Sequence, residues 1–289
     1  MKEKINTVCI IGIGLIGGSL ARSLRDGAWC ERIIGVDKNK QSLREAQQLN
    51  LIDEGFDDVT NCDIVPEVVV IAVPMVSIAT ILASIHPWFA DAKAITDVGS
   101  TKVSVLRDLE LQFDGQIPAN FVPGHPIAGR EKNGVLAAVN DLFMNRKVLL
   151  TPVDNTNSDS IQLVTSMWQQ VGAQVEHMQA LEHDKVLAAT SHLPHALAYA
   201  LVHCLSTQTH TSEIFRYAAG GFADFTRIAS SDPEVWRDIC LSNRDEILHV
   251  LEEFDQTLKQ LQASLENKDG IALQEMFAVA KKSRDQFNS

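Results

Sequence analysis

Basic residues are scarce in this chain of 289 residues: 25 Lys and Arg stand against 37 Asp and Glu, for a net charge of −12, and no basic cluster occurs. That balance argues against nucleic acid or an anionic membrane surface as partner. It also means that a site for an anionic small molecule must gather positive charge locally. The five cysteines (Cys9, Cys30, Cys62, Cys204, Cys240) are odd in number, scattered, and form no C-x-x-C pair. Such a set suits reduced thiols in a cytoplasmic protein rather than a disulfide framework. No apolar run reaches the roughly 20 residues that a membrane helix needs. There is no H-E-x-x-H or similar metal-ligand set, no internal repeat and no low-complexity segment.

What is present is ordinary globular material, 45% hydrophobic and 21% charged, in a length sufficient for two domains. The informative run is Val8 to Ala21, a short apolar strand feeding a G-x-G-x-x-G turn that opens a helix. Gly12 permits the tight turn, Gly14 lets a pyrophosphate approach the backbone, and Gly17 lets helix and strand pack closely. Leu15 and Ile16 lie inside the turn, where free N–H groups and the positive helix end face the phosphates. A second apolar strand, Ile33 to Val36, ends in Asp37, 20 residues after Gly17. An acid there is placed to bond ribose hydroxyls and repels a 2′-phosphate, so NAD is favoured over NADP. Lys38 and Lys40 leave some NADP use open.

The first half alternates strand and helix patterns. Val68 to Val73 is a continuous apolar run stopped by Pro74, as expected for a strand buried on both faces. Ala94 to Val98, Phe121-Val122 and Lys147 to Thr151 read as further strands, and Ala173 to Met178 as one more. This alternation predicts a doubly wound α/β sheet, with the loops at Gly12, Asp37, Val73-Pro74, Gly99 and Gly124 facing one cleft. From about Asp154 the texture becomes mostly helical. The predicted division is 1–153 for a nucleotide-binding Rossmann-type domain and 154–289 for a helical domain. The stripe Leu248, Leu251, Phe254, Leu258 and Leu261 suits either a second subunit or packing within one chain.

Several residues suit chemistry. His125, between Gly124 and Pro126 at a strand end, reads either as a general base or as a loop histidine with a structural hydrogen bond. Ser100 starts the helix pattern after Asp97 and reads as an N-cap, a ligand hydroxyl, or both. Lys102 reads as a surface or ion-pair residue. His192 and His195 share a helix face, with His183 and Asp184 upstream; a structural pair, a metal set and an anion contact are the readings. Gly220-Gly221 permits close approach or an unusual turn, and Arg227 offers a fork matched to a carboxylate. Asp224 is placed to orient Arg227 or merely pair with it, and Trp236 reads as a core aromatic.

Taken in order, Gly12 to Ala21, Asp97-Val98-Gly99-Ser100-Thr101-Lys102, Gly124-His125-Pro126-Ile127-Ala128-Gly129, Ser191-His192-Leu193-Pro194-His195, Gly220 to Arg227, and Ser231-Asp232-Pro233 with Trp236 resemble the prephenate/arogenate dehydrogenase family of tyrosine biosynthesis. The resemblance implies an NAD domain, a helical domain that forms a homodimer, and oxidative decarboxylation of a cyclohexadiene. It implies that His125 is the catalytic histidine, Ser100 an assisting hydroxyl, and Arg227 the holder of the ring carboxylate. Ser191, His195, Glu131, Gly220 and Trp236 are implied around the substrate, some across the dimer. Arg130 stands where relatives also carry a small polar residue, and Ala218-Ala219-Gly220-Gly221 is less glycine-rich than some relatives. Neither a fused chorismate mutase domain nor a regulatory tail is expected. With a histidine base, activity is expected to fall on acidification. The rival readings are another two-domain NAD-dependent hydroxyacid dehydrogenase and a catalytically silent NAD-sensing dimer.

Overall fold

Apolar residues in the first half segregate by strand parity. Val8, Ile10, Val68, Val70 and Ala94 enter one buried cluster, and Cys9, Ile11, Val69, Ile71 and Ile95 enter another. Alternate side chains of one strand point to opposite faces, so these strands must be covered on both sides. The computed structural model, which describes residues 5–130, 132–209 and 211–287, shows that arrangement. Strands β1 (Ile5–Ile11), β2 (Cys30–Val36), β3 (Glu54–Phe56), β4 (Val68–Ile71), β5 (Ala94–Asp97) and β6 (Phe121–Val122) form a six-stranded sheet in the order β3-β2-β1-β4-β5-β6. Every pairing in it is parallel. Helices α1 (Leu15–Asp26), α2 (Lys40–Gln48), α3 (Ile78–Ser84) and α4 (Val103–Gln112) connect the strands.

At Pro123 the chain leaves this sheet. Strand β7 (Gly124–Pro126) pairs antiparallel with β8 (Lys147–Leu150), which pairs parallel with β9 (Gln174–His177) after helix α5 (Ser158–Gln170). The strand read at Lys147 to Thr151 therefore belongs to a separate three-stranded sheet. Strand β3 carried no apolar run to announce it, and its three residues are half-buried.

Helix α6 (Ala180–Leu187), a π-helical turn at Ala188–His192 and α7 (Leu193–Ser206) follow without interruption. Short helices α8 (Thr211–Arg216), α9 (Gly220–Thr226) and α10 (Pro233–Ser242) come next, and α10 packs on the turn Met75–Ser77 that follows β4. Residues 1–243 form one compact unit and residues 244–289 a second. The second unit consists of α11 (Arg244–Glu266) packed on α12 (Gly270–Phe287). Leu248, Leu251 and Leu258 on α11 are exposed. Among the described residues, no helix is long and apolar enough to cross a membrane.

Candidate active site

The glycine turn is built by exclusion. Gly12 has φ +97°, and a Cβ there would lie 2.3 Å from the Ala72 carbonyl oxygen and 3.1 Å from the Val73 side chain. A Cβ on Gly17 would lie 2.0 Å from the Gly12 carbonyl oxygen, the close helix–strand approach expected of it. At Gly14 a Cβ would meet nothing within 4 Å, so open space faces the start of α1. Leu15 is buried and Ile16 packs partly against the core, so what they offer a ligand is first-turn N–H groups. Asp37 stands at the end of β2, its Oδ2 accepting from Ile13 N at 2.8 Å and its Oδ1 from Asn39 N at 2.8 Å. Pro74 opens the neighbouring turn, its carbonyl accepting from Ser77 N at 2.9 Å. An open cradle of N–H groups with an acid at the adjoining strand end fits a dinucleotide.

A second cluster forms where β5 and β7 meet. Asp97 is buried at the end of β5 and accepts from Gly99 N at 2.8 Å, from Gly124 N at 3.1 Å and from Lys102 Nζ. Lys102 is fully buried, and its Nζ also donates to the Gly124 carbonyl at 2.6 Å. The ion-pair reading of Lys102 holds and the surface reading does not. Burial lowers the lysine pKa, and the Asp97 and Asp184 carboxylates oppose that shift. Together Asp97 and Lys102 grip both backbone polar groups of Gly124 and so fix the residue before His125.

His125 is buried on β7, and its Nδ1 lies 2.9 Å from His183 Nε2. His183 Nδ1 lies 2.7 Å from Asp184 Oδ1. A carboxylate accepts, so His183 donates from Nδ1, and its Nε2 in the neutral ring accepts from His125 Nδ1. The lone pair of His125 is then on Nε2. Burial, with His183, the Lys102 ammonium and His192 nearby, holds His125 well below the ordinary histidine range. The ring is therefore in its basic form at neutral pH, and loss of the base on acidification moves below that range. Asp184 also acts on α4, where its Oδ1 and Oδ2 accept from Lys102 N at 2.8 Å and Val103 N at 2.9 Å. Helix α4 begins at Val103, so Ser100 is not its N-cap; the helix is capped by a carboxylate from α6. Ser100 lies half-buried in the loop between Asp97 and Lys102.

On the other side of the π-helical turn, Asn243 Nδ2 donates to the Asp184 carbonyl at 2.8 Å and lies 3.0 Å from His192 Nδ1. Burial pushes His192 down to about 4. His195 takes a different partner, stacking on Trp236 with ring centroids 3.5 Å apart and planes 14° from parallel. Trp236 is half-buried, so it is a stacking surface and not the core aromatic its pattern suggested. His195 Nδ1 donates to the Ser191 carbonyl at 2.8 Å, and burial followed by the charge of Arg227 lowers its pKa. Arg227 is exposed just after α9. Gly220 and Gly221 begin α9 with negative φ, and a Cβ on either would meet nothing within 4 Å, so no unusual turn requires them. The loop after His125 is tied to α10, since Asn133 Nδ2 donates to Asp232 Oδ2 at 3.0 Å. Glu131, in that loop, lies outside the described residues.

The structure thus joins His125 to His183 and Asp184, and His195 to Ser191, Trp236 and Arg227. Sequence reasoning gave no part to Asp97 or to the Asp184 cap. An acidic residue closing a buried strand was the available signal for the first.

Two family models and several relatives match the chain. Residues 20–177 match the family model "Prephenate dehydrogenase, nucleotide-binding domain", and residues 179–279 match "Prephenate dehydrogenase, dimerization domain". The chain is 37% identical to a cyclohexadienyl dehydrogenase of Zymomonas mobilis over 96% of this chain and 94% of that one. It is 36% identical to a prephenate dehydrogenase of Bacillus subtilis, over 99% of this chain and 77% of that one. A crystal structure of prephenate dehydrogenase from A. aeolicus, in complex with hydroxyphenyl propionate and NAD+, superposes with a TM-score of 0.92 at 37% identity, covering 99% of this chain and 100% of that one.

Proposed function

Since the chain belongs to the prephenate dehydrogenase family, we propose that His125 is the base of an NAD-dependent oxidative decarboxylation of prephenate, arogenate or both. The observation that carries this is the buried His125 ring, tied through Nδ1 to His183 and kept neutral, with Nε2 as its basic atom. The chain is an NAD-dependent oxidoreductase with a small-molecule substrate. When bound, NAD+ supplies the hydride acceptor. Gly12, Gly14, Leu15, Ile16 and Gly17 would hold its pyrophosphate, Asp37 its ribose, and Val73 and Pro74 would flank it.

The chain's own residues then have separable roles. His125 takes the proton of the hydroxyl on the carbon that loses hydride, and returns it to the phenolic oxygen once carbon dioxide has left and the ring is aromatic. Ser100 assists from the loop before α4. Arg227 holds the ring carboxylate, with His195 stacked on Trp236 as the wall beside it; Ser191, Glu131 and Gly220 complete the surroundings. We read residues 1–153 as the cofactor part and 154–289 as the substrate and dimer part. The matched dimerization model and the exposed leucines on α11 support a homodimer. Five cysteines that form no disulfide support a cytoplasmic setting.

The test is NADH formation followed by absorbance with NAD+ and prephenate, and with arogenate in parallel. Turnover is expected with one or both, and the ratio names the preferred side chain. His125→Asn should lower kcat by about two decades or more with NAD+ binding intact. Silence with both acids in protein that binds NAD+ would favour a sensor, and an unchanged kcat in H125N would remove His125 from the role.

A further inference from the structure

The base proposed above is an unusual one, because its surroundings disfavour its own protonated form. On β7 it is buried; from the β5–α4 loop it faces the Lys102 ammonium, itself paired with Asp97; from α6 it faces His183, and from the π-helical turn His192. The Asp184 carboxylate touches His183 at 2.7 Å rather than His125. The carboxylate that could offset a positive charge thus lies against the outer ring of the pair, His183.

Resting on the assignment of His125 as base, we propose that His125, His183 and Asp184 form a proton relay in which His183 is the resting place of the substrate's proton. The substrate O–H bond breaks and an N–H bond forms at His125 Nε2. The His125 Nδ1–H bond breaks and an N–H bond forms at His183 Nε2. His125 ends neutral in its other tautomer, and His183 ends as an imidazolium against the Asp184 carboxylate. The reverse shift delivers the proton to the phenolic oxygen, so no net proton is gained or lost. His183 is a positioning residue in this scheme, since it acts on substrate only through His125. Its inward placement has a separate structural support, because the same Asp184 carboxylate is locked by two backbone N–H groups at the start of α4.

The test separates relay from mere orientation. His183→Gln keeps an acceptor for His125 Nδ1–H but cannot take up the proton. It should lower kcat at least tenfold with KM for NAD+ and substrate within about twofold of native. In mixtures of H2O and D2O, the kcat of the unmodified protein should fall in a bowed curve, the mark of two protons in motion, and that of His183→Gln in a straight line. A straight or flat curve for the unmodified protein overturns the relay even if no variant folds. So does a His183→Gln kcat within twofold of native, which would leave His183 only the role of fixing a tautomer. A failure of the base assignment is distinct, because it shows as retained turnover in His125→Asn.

Discussion

The glycine turn and the histidine cluster lie in one compact unit but are made by opposite means. The turn uses backbone from neighbouring residues: Gly12 to Gly17 supply its curvature and the first-turn N–H groups of α1, and Asp37 arrives from the next strand. The cluster uses side chains brought together across the fold, with His125 and His183 58 residues apart and Lys102 and Asp184 82 apart. A backbone device tolerates almost any side chain that leaves its space empty. A side-chain device depends on charge and tautomer, and its parts are not interchangeable.

The largest expected effect breaks the backbone device. Gly12→Ala sets a methyl 2.3 Å from a carbonyl oxygen at positive φ, where the backbone has no room to yield. A loss of about 3 kcal/mol or more in urea unfolding is expected. Gly14→Ala sharpens the same point. Its Cβ meets no protein atom within 4 Å, so the unfolding midpoint should hold while KM for NAD+ rises about tenfold or more. If both glycines behaved alike, the turn would be a folding element alone.

Next in size is the proposed substrate anchor. Arg227→Ala should raise the substrate KM by about ten- to a hundredfold with a smaller change in kcat, as expected on removing a charge-assisted bond. An unchanged KM would place the anchor elsewhere. A further effect concerns pH. His192 is held at about 4 in the fold against about 6.5 unfolded, so the unfolded chain binds the extra proton first. Its contribution is complete above pH 6.5 and is lost as pH falls toward 4, by at most about 3 kcal/mol. The difference in unfolding free energy between pH 7 and pH 4.5 should shrink in His192→Gln; an identical difference would show that His192 does not carry the slope.

The same contrast explains what was legible in the sequence. The strand–turn–helix at Val8 to Ala21, the buried run at Val68 and the acid at Asp37 are local patterns, and each sits where its pattern implied. The separate sheet of β7, β8 and β9 was not legible, because a strand's spacing does not say which neighbour it pairs with. From its position Ser100 reads as an N-cap, a ligand hydroxyl or both, and the N-cap alternative fails because the helix starts three residues later under a carboxylate supplied from α6. His183 and Asp184 were visible as candidates, but their partner was sought nearby at His192 and found in His125. By residue type alone Trp236 reads as a core aromatic, whereas its neighbour His195 makes it one face of a stack.

The π-helical turn at Ala188–His192 sits between these two groups on one uninterrupted rod. His183 and His195 are separated by 12 residues, or about 18 Å at helical rise. Each residue advances the azimuth of a helix by about 100°, so the wider turn sets the angle at which everything beyond it is presented. The rod therefore works as a gauge with a built-in phase offset: its length spaces His183 from His195, and its one wider turn sets the angle between the two rings.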